Sequence, residues 1–180
     1  MDSFYINITD KKSKTKKIFI RKMTPRIEIA NEKKVVGKRL TMSFADYTIG
    51  ELWRSFLPRR KEIASNLTND LISIAVYKPN HFKDFNAINE FERWAAVEVT
   101  NFDNLPTEME PFIIPSGLYA VFEYKGLNTD DAVFQYIFGT WLPNSDYVLD
   151  HRPHFEILGD KYKNNDPTSE EEIWIPIKTK

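Results

Sequence analysis

The sequence has no cysteine, which excludes disulfides, thiolate nucleophiles and thiolate metal sites. A chain without disulfides is compatible with a reducing compartment. Histidine is scarce: His81, His151 and His154 are the only three. His151 and His154 flank Pro153 at a predicted strand start and bring no further ligand, so they read as surface or edge residues. Only 6 glycines are present, and none forms a phosphate-cradling loop. No serine sits in a nucleophile elbow. Neither a metal nor a cofactor is expected. No apolar run approaches the ~18 residues of a membrane span, and the N-terminus lacks the apolar centre of a signal peptide. Charge is nearly balanced at a formal net of -1, so no global field points to nucleic acid or membrane. A soluble, cytoplasmic protein is the expectation.

What is present is apolar and aromatic. The 180 residues are 42% hydrophobic and 14% aromatic, enough to fill a core and also line a pocket. Residues 1–24 differ in composition, with Lys11, Lys12, Lys14, Lys16, Lys17, Arg21 and Lys22 crowded together. They read as a solvated basic arm or a charged edge strand, with contact to an acidic partner as the sharper alternative.

From Pro25 the pattern is regular. Strands are predicted over 26–30, 35–44, 71–77 and 94–99, with a helix over 48–57. Thr48 and Glu51 have the spacing of a capping box. Ile49, Leu52, Trp53 and Phe56 make one apolar stripe, and Pro58 is expected to end the helix. Residues 78–89 read as a polar loop, and 101–111 as a connection between halves. The second half repeats this order. Strands are predicted over 112–114, 118–125, 154–158 and 172–178, with a helix over about 130–142 capped by Asn128 or Thr129. Residues 159–169 form a polar loop.

The repeat can be counted. At an offset of 85, Ile49, Leu52, Trp53, Phe56, Leu57 and Pro58 align with Phe134, Ile137, Phe138, Trp141, Leu142 and Pro143. At an offset of 80, Glu92, Trp94 and Val97 align with Glu172, Trp174 and Ile177. The fold class expected is α+β: a pseudo-twofold tandem of strand-strand-helix-strand-strand units, half one over 25–104 and half two over 109–178. One helix cannot cover both faces of its own sheet, so the halves complete each other and leave a central groove.

Four segments carry a resemblance. They are 117–126 (Gly-Leu-Tyr-Ala-Val-Phe-Glu-Tyr-Lys-Gly), 138–143 (Phe-Gly-Thr-Trp-Leu-Pro), 153–157 (Pro-His-Phe-Glu-Ile) and 172–177 (Glu-Ile-Trp-Ile-Pro-Ile). Together with the strand from Trp94 to Val99 they resemble the GyrI-like effector-binding domain, also found fused to AraC-type and MerR-type bacterial transcription regulators. The resemblance covers about Pro25 to Lys178. It implies an aromatic pocket that binds small, often cationic molecules around a buried glutamate, with Glu172 at that position. No helix-turn-helix precedes the matching region, so a stand-alone version without a DNA-reading domain is expected.

The final strand alternates Ile173, Ile175 and Ile177 with Glu172, Trp174 and Pro176. A carboxylate among aromatic rings is costly to desolvate, and a cationic ligand would supply the missing charge. The candidate ligand-binding residues are therefore Glu172, Trp174, Trp94 and Glu92, extended by Phe122 and Tyr124, with Tyr119 weaker because it faces away from Phe122. Three functions follow. The chain captures an apolar or cationic aromatic molecule; or it hydrolyses a reactive cyclopropane-bearing toxin, as some relatives do, with Glu172 acting on water; or it binds a protein partner, as gyrase-inhibitor relatives do.

Overall fold

A computed structural model describes strands 4–9 and 15–20 and then residues 23–180. Strands β1 (Phe4–Thr9) and β2 (Thr15–Ile20) pair antiparallel as a sheet of their own. Of the basic arm, Lys11, Lys12, Lys14, Arg21 and Lys22 lie outside the described residues, and Lys16 and Lys17 are described only as part of β2.

The remaining strands are β3 (Arg26–Ala30), β4 (Lys33–Met42), β5 (Leu71–Val76), β6 (Phe91–Glu98), β7 (Glu110–Ile114), β8 (Gly117–Lys125), β9 (Tyr147–Leu149), β10 (His154–Leu158) and β11 (Glu170–Thr179). They form one antiparallel sheet in the order β3-β8-β11-β10-β5-β6-β4-β7, with β9 on β11. The fold is α+β, mostly antiparallel sheet with two helices. Exchanging β3, β4, β5 and β6 with β7, β8, β10 and β11 reverses that order onto itself. The centre of the reversal lies between β5 and β10. Each half also lends its first strand to the other: β3 pairs with β8, and β7 with β4.

Period-two alternation gives the sheet two different faces. One carries Val35, Ile72, Ile74, Trp94, Ile114, Tyr119, Val121, Phe155 and Trp174, a single cluster drawn from both halves. The register sets Trp94, Ile74, Phe155 and Trp174 in a row across the four central strands. The opposite face carries the helices, each on its own half. Leu52 and Phe56 of α1 (Ile49–Phe56) pack on Val36, Ala95 and Val97. Val133 and Tyr136 of α2 (Ala132–Tyr136), with Ile137 beyond it, pack on Ala120, Phe122, Ile173 and Ile175.

Both helices depart from expectation in their caps and ends. Thr48 makes no side-chain cap; only its carbonyl accepts, from the Glu51 N–H at 2.9 Å. Pro58 does not end the run but enters a 3-10 turn, Leu57–Glu62, at its first positions, where a missing N–H costs little. In the second half Asp130, not Asn128 or Thr129, accepts from the Ala132 N–H at 3.0 Å. Asn128 instead donates to Asn164 at 3.0 Å. After Tyr136 the helix widens into a π turn, Ile137–Trp141, closed by Leu142 N–H on the Ile137 carbonyl. Such turns re-aim side chains. Phe138 lies within it and reaches the centre of the molecule, ring to ring with Phe82 and His154.

Candidate functional site

The sequence-predicted residues divide between the two faces. Glu92, Trp94, Glu172, Trp174 and Tyr119 belong to the face without helices; Phe122 belongs to the α2 cluster, with Tyr124 packed against it. Phe122 and Tyr124 therefore do not extend the wall beside Trp174, because residues an odd number of positions apart on a strand point to opposite sides. Tyr119 is the residue that does: its ring meets the Trp174 indole edge-on at 5.9 Å.

On that face each Glu-x-Trp pair already holds a cation of the chain itself. Arg26 donates to Glu172 at 2.6 Å and stands 5.5 Å over the Trp174 ring. Arg39 donates to Glu92 at 2.8 Å and stands 5.6 Å over the Trp94 ring. The two arginines come from non-equivalent strands, so the sequence repeat carries no trace of them. The sites are not identical. Trp174 Nε1–H donates to Glu172 at 3.1 Å, whereas Trp94 Nε1 is buried without a partner.

A second constellation, on the helix side, was not singled out from the sequence. Between the helices the central strands present Ser73 on β5, Arg93 on β6, Glu156 on β10 and Glu171 on β11. Ser73 lies opposite Glu156 in register, while Arg93 and Glu171 lie on diagonals from that pair. Arg93 Nη2 donates to Ser73 Oγ at 2.6 Å and to Glu156 at 3.4 Å. Its Nε is buried with no acceptor. Burial alone would pull the guanidinium down, but Glu156, Tyr47 and Tyr77 outweigh it, and its affinity for the proton is raised. Burial, reinforced by Glu156 and opposed by Arg93, pushes the Glu171 carboxyl up to about 7. Three tyrosines lie within electrostatic range of the cluster. Burial raises the hydroxyls of Tyr47 and Tyr77, and both sense Arg93 and Glu156; Tyr162 is raised likewise and senses Glu171 and Glu156. Solvent still reaches this patch: the Glu156 side chain keeps 19% of its exposure, against 9% for Arg93.

The 78–89 loop, polar in composition, closes one end. His81 and His154 are both buried, the latter in contrast to the surface or edge placement expected of it. Tyr77 is edge-on to His154 at 5.0 Å, and Phe82 stacks on Phe138 and His154 at 5.7 and 5.8 Å. Burial lowers the proton affinity of both histidines, His154 to about 3. Beneath the loop lies a cavity of about 220 Å³ lined by Tyr77, His81, Phe82, Arg152 and His154. The sequence signal was present in His81-Phe82 and in Arg93, the residue between Glu92 and Trp94.

The model of the GyrI-like small molecule binding domain matches residues 23–178. The chain belongs to that family. Transcriptional regulator BrlR of Pseudomonas aeruginosa is 32% identical over 161 residues, covering 88% of this chain and 57% of the regulator's length. The chain thus spans little more than half of that relative. Among solved structures, SAV2435 bound to tetraphenylphosphonium is similar at TM-score 0.62, with 18% identity over 86% of this chain and 93% of the other. The EcmrR C-terminal domain is similar at TM-score 0.62, with 16% identity over 89% of this chain and all of the other. These structural likenesses establish the fold. No helix among the described residues is long and apolar enough to cross a membrane.

Proposed function

We propose that this GyrI-like domain captures a small aromatic or apolar molecule in the trough between its two helices, over Ser73, Arg93, Glu156 and Glu171. The observation that carries this reading is the buried, partly wetted set of charges at the centre of the sheet, with Arg93 bonded to Ser73 and Glu156 and its Nε left unpaired. Sites of this kind combine an apolar wall with a few convergent polar groups. They also hold groups whose proton affinities are displaced, as that of Glu171 is. The Glu172 side of the sheet is the weaker candidate, because Arg26 and the Trp174 N–H already satisfy that carboxylate. A relative's complex with tetraphenylphosphonium supports a lipophilic aromatic ligand.

The test is calorimetric titration of planar aromatic probes against the wild type, Tyr47→Ala, Glu171→Gln and Glu172→Gln. Affinity is expected to fall about tenfold or more in the first two variants and to stay within about twofold in the third. Loss confined to Glu172→Gln would return the site to the opposite face.

One observation favours a second reading. A carboxyl pushed to about 7 beside accessible solvent has the proton affinity of a general base at neutral pH. Hydrolysis of a cyclopropane-bearing electrophile that is lost in Glu171→Gln, with the probe still bound, would establish it. Background rates in the wild type would remove it.

A further inference from the structure

We propose that the cavity beneath the 78–89 loop is a separate binding site for a small aromatic carboxylate, its ring held inside and its charge at the mouth beside Lys78 and Lys83. None of Ser73, Arg93, Glu156 and Glu171 lines this cavity, so the inference goes beyond the trough reading and does not depend on it.

Size and walls set the ring. The cavity measures about 220 Å³. An apolar cavity of about 150 Å³ is enough to hold benzene. One ring with one small substituent is therefore the ligand that fits. Tyr77 and Phe82 meet edge to face at 4.6 Å, and Phe82 stacks on His154 at 5.8 Å. All three line the cavity. Aromatic walls of this kind take a further ring in stacked or edge-on contact.

Charge sets the substituent. Besides its histidines, the lining carries Lys78, Lys83, Asp150 and Arg152. Asp150 and Arg152 are committed elsewhere. Asp150 accepts from the His151 N–H at 2.9 Å and from Arg152 Nε at 2.6 Å, one bond to each carboxylate oxygen. Arg152 Nη2 donates to the carbonyls of Leu118 at 2.7 Å and Ile177 at 3.1 Å. Its guanidinium stands 4.5 Å over the Tyr119 ring, and a Cβ on Gly117 would overlap its Nη1. This arginine is a clamp on β8 and β11. Lys78 and Lys83 have no such commitment. Both are exposed, and neither bonds to a side chain among the described residues. Asp84, next to Lys83 in sequence, does not line the cavity. The Lys78 charge is felt inside: after burial, it is what lowers the proton affinity of His81. The charge this site lacks is negative. A carboxylate at the mouth meets both lysines while keeping part of its hydration, so the cost of burying a bare charge is avoided.

The test uses three probes of one shape and three charges: benzoate, benzamide and benzamidinium. Titration calorimetry of the wild type at low salt is expected to give affinities in that order, with benzoate about tenfold tighter than benzamide. Lys78→Gln and Lys83→Gln are each expected to weaken benzoate about threefold, and the double variant to bring it to the level of benzamide, whose own affinity stays unchanged. Circular dichroism melts check that these surface variants are folded. Benzoate is expected to move the amide shifts of residues 78–83 and 149–154 and to leave those of Arg93 and Glu171 in place. Benzoate binding no tighter than that of benzamide, or undiminished in the double variant, would overturn the inference. Shift changes confined to Arg93, Glu156 and Glu171 would place the anion in the trough and overturn it too, as would absence of benzoate binding at about 10 mM. The trough reading is tested by its own variants and survives each of these outcomes.

Discussion

The Arg26 guanidinium donates a 2.6 Å hydrogen bond to the Glu172 carboxylate across 146 positions of sequence. The same guanidinium lies 5.5 Å over the Trp174 ring, whose N–H also reaches Glu172. The three groups form a closed set in which charge, π face and N–H are all used. Because Arg26 belongs to the strand that half one lends to half two, the set also ties the two halves together.

Glu172→Gln is therefore expected to lower stability in the absence of any ligand. The pair is half-exposed, so the loss is modest, about 1 kcal/mol. Urea unfolding of Arg26→Gln, Glu172→Gln and the double variant checks this, and a coupling of about 0.5 to 1 kcal/mol is expected. Strictly additive losses would show that the contact contributes nothing.

The two indoles differ in their N–H groups, and the difference is measurable. Trp174→Phe removes a hydrogen bond to Glu172, while Trp94→Phe removes a buried donor that has no partner. Both lose similar ring area. Trp94→Phe is expected to cost less than Trp174→Phe, by about 1 kcal/mol. Denaturant midpoints at equal slope decide the order.

Much of the architecture was legible in sequence, and the reasons are local. The alternation in 71–76 and 173–177 and the stripe at Leu52 and Phe56 reflect periods that the backbone imposes on any buried face. The pairing of Trp94 with Trp174 as equivalent positions followed from counting, and the register places both in one row. Capping failed as a prediction because several residues near each helix start compete for the same N–H; Asp130 reaches Ala132, and Thr48 reaches nothing. The partners of Glu92 and Glu172 were not legible. Arg26 is brought to Glu172 by strand exchange, and Arg39 to Glu92 by the β4–β6 register, neither of which a spacing along the chain encodes. Arg93 was not legible either, because its partners, Ser73 on β5 and Glu156 on β10, come from other strands.

Gly37 tests the register between β4 and β6. A Cβ there would overlap the Ala95 carbonyl oxygen and crowd Ala96 on the neighbouring β6 at 2.7 Å. Backbone cannot yield as a flexible side chain can. Gly37→Ala is expected to cost about 3 kcal/mol or more, with a loss of soluble, cooperatively melting protein. A melt within a few degrees of wild type would mean that β4 shifts along β6 at little cost.

The Glu171 carboxyl makes stability fall as pH rises. Its folded-state value is about 7, raised by burial and by Glu156 against the opposing charge of Arg93, and with Tyr162 and Tyr124 also within range. The unfolded carboxyl titrates near 4.3, so between roughly pH 4.3 and 7 the native state holds the extra proton. The stabilisation is complete below that window and lost above it. Glu171→Gln is expected to raise stability at pH 8 by about 1 to 2 kcal/mol, allowing for partial solvation, and to leave it unchanged at pH 4. Urea midpoints at the two pH values check the sign, and a loss at pH 8 would show that Glu171 is paired in solution.

The buried histidines act in the opposite direction. Burial, then the charge of Arg93 and the neighbouring His81, hold His154 near 3, and burial with Lys78 lowers His81. An unfolded imidazole titrates near 6.5, so below that pH the unfolded chain takes up protons that the native one refuses. Stability is then lost as pH falls, by up to about 1.4 kcal/mol per pH unit for each histidine. Between about pH 4.3 and 6.5 the proton held by native Glu171 offsets the one refused by His154, so the net acid loss in that range is what His81 adds, and His154 alone governs the decline below it. His154→Phe keeps the aromatic contacts with Tyr77, Phe82 and Phe138 and removes one of the two titrations. Its acid limb is expected to be shallower by about one proton, read as the slope of unfolding free energy against pH between 4.5 and 6. Because Phe82 stacks on His154, the same acidification should open the 78–89 loop before the sheet unfolds, and amide exchange in residues 78–89 should rise first. An unchanged slope in His154→Phe would show that this imidazole is hydrated in the native protein.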